Sequence, residues 1–477
     1  MTAVRAEGRE RLSLLLVLLL TVLALAVRLW GITSQSLWWD EVSSFQQARL
    51  GWGQLFAATA ADNYPPLHNI LLHLSMQLLG PTALALRLPS ALLGAATIPA
   101  LYWVGSRMAG RHAALIAAAL LCVSGFHVWF SQEARMYALL CLTTVLFAGA
   151  ALEYALGSSW RWALGSIGAG TLLLYSHPYG ALNWASLVLA FGVAKAVRAK
   201  QLRSAAGFML PQAAALVLYL PWALILLGRA KVLTASGFWL PPVTPDVLLY
   251  YFEVIMTGRG MLAALLLATA LIALPAVTPQ RERLLDGYLP RTVPAISHRS
   301  ALWILLAWGV LPAGLGAILS YLTTPVLFHR YLIGSLPALL LLIGMGFARL
   351  PKSILGGAGV LCLAAAVVIG LVHASPGQRD DTRDVAAALA TRLGPQDCVV
   401  MSPETAIAMS YYRPGGFSCA AIVNYPAAAR FAVPEPDRIF VIANSYDQNN
   451  GWDAGVLGTV QTRQYFGITE LAVVSPK

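Results

Sequence analysis

The sequence predicts an all-α polytopic membrane protein with a small α/β domain at its C-terminal end. Three observations predict it. The 477 residues are 58% hydrophobic and only 11% charged, where soluble domains carry roughly 25% charged residues. Apolar runs recur from Leu12 onward, each of about 20 residues and so long enough for a hydrocarbon core of about 30 Å. From Pro376 the chain turns polar, with eight basic and ten acidic residues. The apolar runs are continuous rather than alternating, which disfavours a β-barrel. Backbone groups in lipid must be satisfied within each segment, so the runs read as helices.

About eleven transmembrane helices are expected, at 12–30, 86–106, 112–130, 135–155, 161–177, 179–196, 206–228, 260–278, 301–321, 331–348 and 354–373. The first follows Arg5, Arg9 and Arg11. It is too long for a signal-peptide core and no small-residue cleavage site follows, so it reads as an uncleaved anchor. With the N-terminus inside, sixteen basic residues fall in inner segments: those three, Arg107, Arg111, Arg161, Lys195, Arg198, Lys200, Arg203, Arg281, Arg283, Arg291, Arg299, Arg349 and Lys352. Eight fall outside: Arg28, Arg49, Arg87, Arg135, Arg229, Lys231, Arg259 and Arg330. This asymmetry is the positive-inside signature. It accounts for the net charge of +11 without nucleic acid.

Residues 66–80 tempt a further span. They number only fifteen and contain His68, Asn69, His73 and Gln77. They read instead as an interfacial helix at the outer surface, as does the stretch 45–58. Residues 1–375 then form the membrane domain, with a first external loop at 32–85. Residues 376–477 form a soluble extracytoplasmic domain, strand-like at 398–401, 420–423, 439–443 and 471–474 and helical at 383–393 and 405–412. Of five cysteines, Cys122, Cys141 and Cys362 lie in apolar spans and read as small core residues. Cys398 and Cys419 lie in the tail, where a disulfide is left open.

The unusual polar residues gather on the outer side. SLWWDEVSSF, at 36–45, places Asp40 and Glu41 directly after Trp38 and Trp39. DNYPPLH holds Tyr64 and His68; SQEARMY holds Glu133, Arg135 and Tyr137; YSHPYG holds His177; FHRY holds His329, Arg330 and Tyr331. Taken singly, each has a plain structural reading: an aromatic belt, a solvated acid pair, an ion pair or a snorkelling helix start. Together on one face they describe a chemistry. A carboxylate takes a proton from an acceptor hydroxyl, and arginines hold a phosphate bidentately. That set suits transfer of a sugar from a lipid phosphate to an extracytoplasmic acceptor.

WWDE, YPPLHNILLHL, LRLPSALLGAATIPALYWVG, SQEARMYAL and FHRYLIGSLPALLLL together resemble family 39 lipid-linked glycosyltransferases. This is the GT-C type, similar to protein O-mannosyltransferases and to lipid A aminoarabinose and galacturonic acid transferases. The resemblance covers roughly residues 10–350. It implies a GT-C fold, a polyprenyl-phosphate sugar donor, and an inverting transfer to a glycan, lipid or protein. It implies Asp40 as catalytic residue, with Glu41 beside it, and Arg87 of LRLPS as a functionally sensitive arginine. At His68 the sequence departs from relatives that carry lysine or glycine. Metal dependence is left open: Asp40, Glu41 and a histidine could ligate a divalent ion, but no spacing compels it. A transporter or flippase would show inverted repeats and charges at span centres, and neither is evident. A non-catalytic envelope-assembly scaffold would need neither Asp40 nor the arginines. The expected location is the inner or plasma membrane.

Overall fold

A computed structural model gives the structure of the protein and describes residues 2–157, 159–201, 203–236, 240–273, 296–349, 381–424, 436–444, 447–448, 452–466 and 468–476. The chain divides into two compact units. One comprises 1–29, 51–71 and 88–370; the other comprises 30–50, 72–87 and 371–477.

The first unit is helical. It contains α1 (Thr2–Leu29), α3 (Trp52–Ala61), most of α5 (Ala83–Met108), and α6 (Arg111–Val123) with α7 (Gly125–Ser131). There follow α8 (Tyr137–Gly157), α9 (Trp160–Ser176), α10 (Pro178–Ala199), α11 (Arg203–Ser236), α12 (Pro245–Ile255) and α13 (Arg259–Ala273). The last are α14 (His298–Leu322), a 3-10 turn (His329–Gly334) and α15 (Leu336–Phe347). Helix α11 exposes Leu210, Val217 and Leu224 at a seven-residue repeat, an apolar stripe suited to lipid. Inside, glycine allows close helix contact. A Cβ on Gly344 would strike the backbone of Ala113 in α6, and one on Gly346 would strike that of Ala268 in α13.

Among the described residues six helices are long and apolar enough to cross a membrane, or up to eight if each of two bent pairs is one span. This is a multi-pass membrane protein. The expected span at 112–130 is in fact broken: α6 and α7 meet at 58°. The expected span at 260–278 begins at a 94° bend from α12, a helix the sequence reading had not placed. The bend runs through Thr257 and Gly258, both with positive φ. The helix within 331–348 has only 12 residues. The eleventh expected span, 354–373 with Cys362, lies outside the described residues, as do the inner-segment residues Arg281, Arg283, Arg291 and Lys352.

Arg28, expected in an outer loop, is instead fully buried at the end of α1. It donates to the carbonyls of Leu121 and Cys122 at 3.2 and 3.1 Å and to Nδ1 of His127 at 2.8 Å. The break after α6 frees those carbonyls, and the guanidinium supplies their donors.

Helix α4 (Leu67–Leu79) has 13 residues. At 1.5 Å per residue it spans about 20 Å, short of a bilayer core. The stretch 45–58 contributes to two short helices, α2 (Trp39–Ala48) and α3, rather than one.

The second unit carries a five-stranded sheet in the order β2-β1-β3-β5-β4. Its strands are β1 (Cys398–Met401), β2 (Ala420–Ile422), β3 (Ile439–Ala443), β4 (Gly458–Phe466) and β5 (Thr469–Pro476). β1 runs parallel to β2 and β3, while β5 is antiparallel to β3 and β4. Helices α16 (Thr382–Arg392) and α17 (Pro403–Tyr412) match the expected ones within two residues. Strand β4 had escaped the sequence reading because its side chains are mostly exposed and polar. Cys398 and Cys419 form a disulfide.

Cysteine labelling tests the orientation expected from the basic residues. Gln461→Cys on β4 should react from outside the cell, and Gln201→Cys, after α10, only after permeabilisation. Both positions are exposed. The opposite pattern would overturn the outside placement of the sheet domain.

Candidate active site

Asp40 and Glu41 open helix α2 in the second unit, and both are buried. Their roles separate at once. Glu41 accepts two hydrogen bonds from Arg87, Nε to Oε1 at 2.8 Å and Nη2 to Oε2 at 2.6 Å. It also accepts from the backbone N–H of Trp38 at 3.3 Å, the half of a capping box that a Glu at the third helical position supplies. The remaining Arg87 donors reach the carbonyls of Ile32 at 2.8 Å, Gln35 at 2.9 Å and Ser36 at 2.8 Å. A guanidinium has five N–H donors, and all five are engaged within this unit. Arg87 therefore fixes the segment before α2, with its donors committed to Glu41, Ile32, Gln35 and Ser36.

The far end of α2 is closed by α4. His73 Nδ1 donates to the carbonyl of Ala48 at 2.7 Å, and its Nε2 accepts from Gln77 at 2.8 Å. Asp40 sits between these anchors, 6% exposed.

In the first unit the expected residues assemble into an aromatic and cationic cluster. Arg135 lies in the bend between α7 and α8, where Ser90 donates to its carbonyl and Gln132 donates to the end of α1. Its guanidinium stands 5.0 Å over the Tyr64 ring. Arg330 and Tyr331 ride on the 3-10 turn, whose Gly334 carbonyl accepts from Trp308 at 2.8 Å. Arg330 lies 5.6 Å from the Tyr137 ring and 5.2 Å from Phe328. The Tyr64 and Tyr331 hydroxyls are 3.4 Å apart. His177 packs at 4.9 Å from Tyr331 and 5.4 Å from Tyr64. His329 packs on Phe328 and Tyr251. Glu133 is buried beside this bend.

The histidines here are neutral. Burial, then the charge of Arg135, pushes His68 down to about 3. Burial, then Arg330, pushes His329 down to about 4. Burial, then Arg135 and Arg330, holds His177 well below its ordinary value. His177 Nδ1 accepts the backbone N–H of Tyr179 at 2.9 Å and caps α10. The proton of its neutral ring is then on Nε2, a buried donor without a hydrogen-bond partner among the described residues.

Sequence reasoning missed Tyr251 and Phe328 in this cluster. The Tyr251 hydroxyl is buried and lacks a hydrogen-bond partner among the described residues. Tyr250 and Tyr251 in LLYYFEV were a usable signal. The ligand set Asp40, Glu41 and a histidine does not form: among the described residues no three His, Cys, Asp or Glu side chains come together as a metal site.

The fold can be compared with known ones on this footing. It matches ArnT from Cupriavidus metallidurans in the apo state with a TM-score of 0.59 at 13% identity, over 97% of this chain and 99% of that one. It matches the same protein bound to undecaprenyl phosphate with a TM-score of 0.55 at 13% identity, over the same 97% and 99%. The profile of the dolichyl-phosphate-mannose-protein mannosyltransferase family matches residues 63–227. The chain has the GT-C glycosyltransferase fold. No curated protein matches the sequence. The matched segment of this GT-C chain holds Tyr64, His68, Arg87, Glu133, Arg135, Tyr137 and His177, while Asp40, Glu41, His329, Arg330 and Tyr331 lie outside it.

Two stability tests follow from the geometry. Removing one partner of a buried pair typically costs about 3–5 kcal/mol, so Glu41→Ala should lower the Tm in detergent accordingly. The double variant Arg87→Met, Glu41→Leu should stay destabilised, because the carbonyls of Ile32, Gln35 and Ser36 lose their donors. A double variant as stable as the unsubstituted protein would refute the latch.

The second test is the pH dependence. A histidine held below its unfolded value of about 6.5 leaves the unfolded chain binding more protons. Stability should therefore be full above pH about 6.5 and fall towards pH about 4. His329→Gln should flatten that fall in a Tm-against-pH series. An identical slope in the variant would show that His329 is not held neutral.

Proposed function

We propose that the protein is a membrane glycosyltransferase that moves a sugar from a polyprenyl-phosphate donor to an extracytoplasmic hydroxyl. The observation that carries the reading is the pair of buried arginines, Arg135 and Arg330, in one cluster with Tyr64, Tyr137, Tyr331 and neutral His177. Because the histidines add no charge, the guanidiniums are the groups suited to a phosphate, which they match in bidentate geometry. The binding of undecaprenyl phosphate by ArnT supports a lipid phosphate here.

In the proposed step Asp40 takes the acceptor hydroxyl proton as that oxygen bonds to the anomeric carbon. The bond from that carbon to the phosphate oxygen breaks, and the lipid phosphate leaves with the electron pair. Attack opposite the leaving group inverts the anomeric centre. Arg135 and Arg330 stabilise the charge on the departing phosphate. The sugar face is left to the tyrosines, His68 and His177. Such a protein belongs in the inner or plasma membrane with the sheet domain outside.

The purified protein, given undecaprenyl-phosphate-linked sugars and cell-envelope acceptors, should release the sugar from the lipid. General base catalysis contributes roughly 10²–10⁴-fold, so Asp40→Asn should transfer at least about a hundredfold more slowly while still binding donor. Arg135→Lys and Arg330→Lys keep charge but lose the planar fork, and each should raise the donor KM. Near-normal rates for Asp40→Asn would remove it as base, and unchanged kinetics for both arginine variants would remove the clamp.

A further inference from the structure

The role of the sheet domain is legible in the contacts of the second unit. The five residues 33–37 lead directly into α2, whose second residue is Asp40. Ser36 Oγ donates to the Asp381 carboxylate at 2.5 Å and accepts from the Arg383 backbone N–H at 3.0 Å. The Arg383 guanidinium donates to the carbonyls of Ser34 at 2.8 Å and Thr33 at 3.4 Å. The Leu37 backbone N–H donates to the Tyr412 hydroxyl at 2.6 Å. These groups are themselves fixed. Asp381 caps α16 and donates its backbone N–H to Thr469 on β5. Tyr412 ends α17, whose Met409 is buried in the core against the sheet. The same helix touches α2 beyond its start: Phe45 meets Tyr411 edge to face at 5.0 Å, and Gln46 donates to Ser410 at 3.0 Å. Tyr411 also donates to the Pro81 carbonyl at 3.1 Å.

We propose that the sheet domain is a positioning element for Asp40, with Tyr412 and Asp381, through Leu37 and Ser36, setting where α2 starts. The inference rests on the reading of Asp40 as base. A helix start displaced by one ångström moves a catalytic carboxylate by a comparable amount, and such errors cost up to about a hundredfold in rate. Two features separate this role from general packing. The bonds converge on residues 33–37, on the backbone of Thr33, Ser34 and Leu37 and on the Ser36 hydroxyl, just before Asp40. Their donors and acceptors are exchanged with the segment itself rather than with distant helix surface.

The test uses the full-length protein in detergent, with the undecaprenyl-phosphate-linked sugar that the unsubstituted protein turns over fastest. Tyr412→Phe deletes one hydroxyl and Ser36→Ala another. Each should lower kcat roughly tenfold, with KM for donor within about twofold. Ser36→Thr, which keeps the hydroxyl, should restore most of the rate. In an Asp40→Asn background Tyr412→Phe should cause no further loss, because the residue it positions no longer acts. Asp40→Asn at a normal rate would defeat the base assignment, whatever Tyr412 does. A slow Asp40→Asn beside a normal Tyr412→Phe and Ser36→Ala would defeat only the positioning role. So would an equal loss from Tyr412→Phe in both backgrounds, or a loss in donor KM rather than kcat.

Discussion

The Arg87–Glu41 pair is the constraint on which the acidic segment depends. One guanidinium gathers three carbonyls from residues 32–36 and the carboxylate at the start of α2. Its cost in desolvation is large, since neither partner is more than 1% exposed. Such a pair is weak evidence for stability. Its geometry shows what it secures instead. Without it the segment would present buried carbonyls without donors, and α2 would have no fixed first turn. Asp40 and Glu41 are neighbours in sequence, yet it is Glu41 that is committed to the Arg87 pair.

The first unit follows a different electrostatic logic. Arg135 and Arg330 stand among aromatic faces and histidines that burial and their own charge keep neutral. Each histidine that stayed protonated would add like charge in a low-dielectric place. Neutral rings let two cations share one cluster, and aromatic faces partly offset their lost hydration. His177 shows how local structure sets chemistry. Pro178 follows it, its extended backbone starts α10, and its Nδ1 caps that helix. The cap selects the tautomer, so helix geometry decides which nitrogen carries the proton.

Much of this was legible in the sequence because the signals were strong and local. Apolar length located the long helices, and the change at Pro376 located the sheet domain. The expected polar residues of the first unit do assemble. Roles decided by partners far along the chain were not legible. Arg87 reads as an outer-edge arginine until the carbonyls 51 to 55 residues before it are seen around it. Arg28 reads as a loop residue for the same reason, although an arginine after so long an apolar run was a sign of burial. The break in 112–130 left only Ser124 and Gly125 as a mark, because the alanine- and leucine-rich run before it and the apolar FHVWF after it read as one span. Strand β4 lacked apolar alternation, since it forms the sheet edge.

The hydrogen-bond inventory of residues 32–38 explains why a latch on α5 is not enough. Arginine has only donors, so Arg87 can satisfy carbonyls and the Glu41 carboxylate. It can do nothing for the Leu37 N–H or for the proton of Ser36. Those groups need acceptors, and a buried donor left unmade costs about 1–3 kcal/mol. Glu41 covers one such donor, the N–H of Trp38. The Tyr412 hydroxyl and the Asp381 carboxylate cover the other two. Arg383 meanwhile takes the carbonyls of Thr33 and Ser34. The segment before Asp40 thus draws its partners from both the α5 arginine and the sheet domain. That arrangement gives a polar domain of about a hundred residues a structural reason to be covalently attached to this chain.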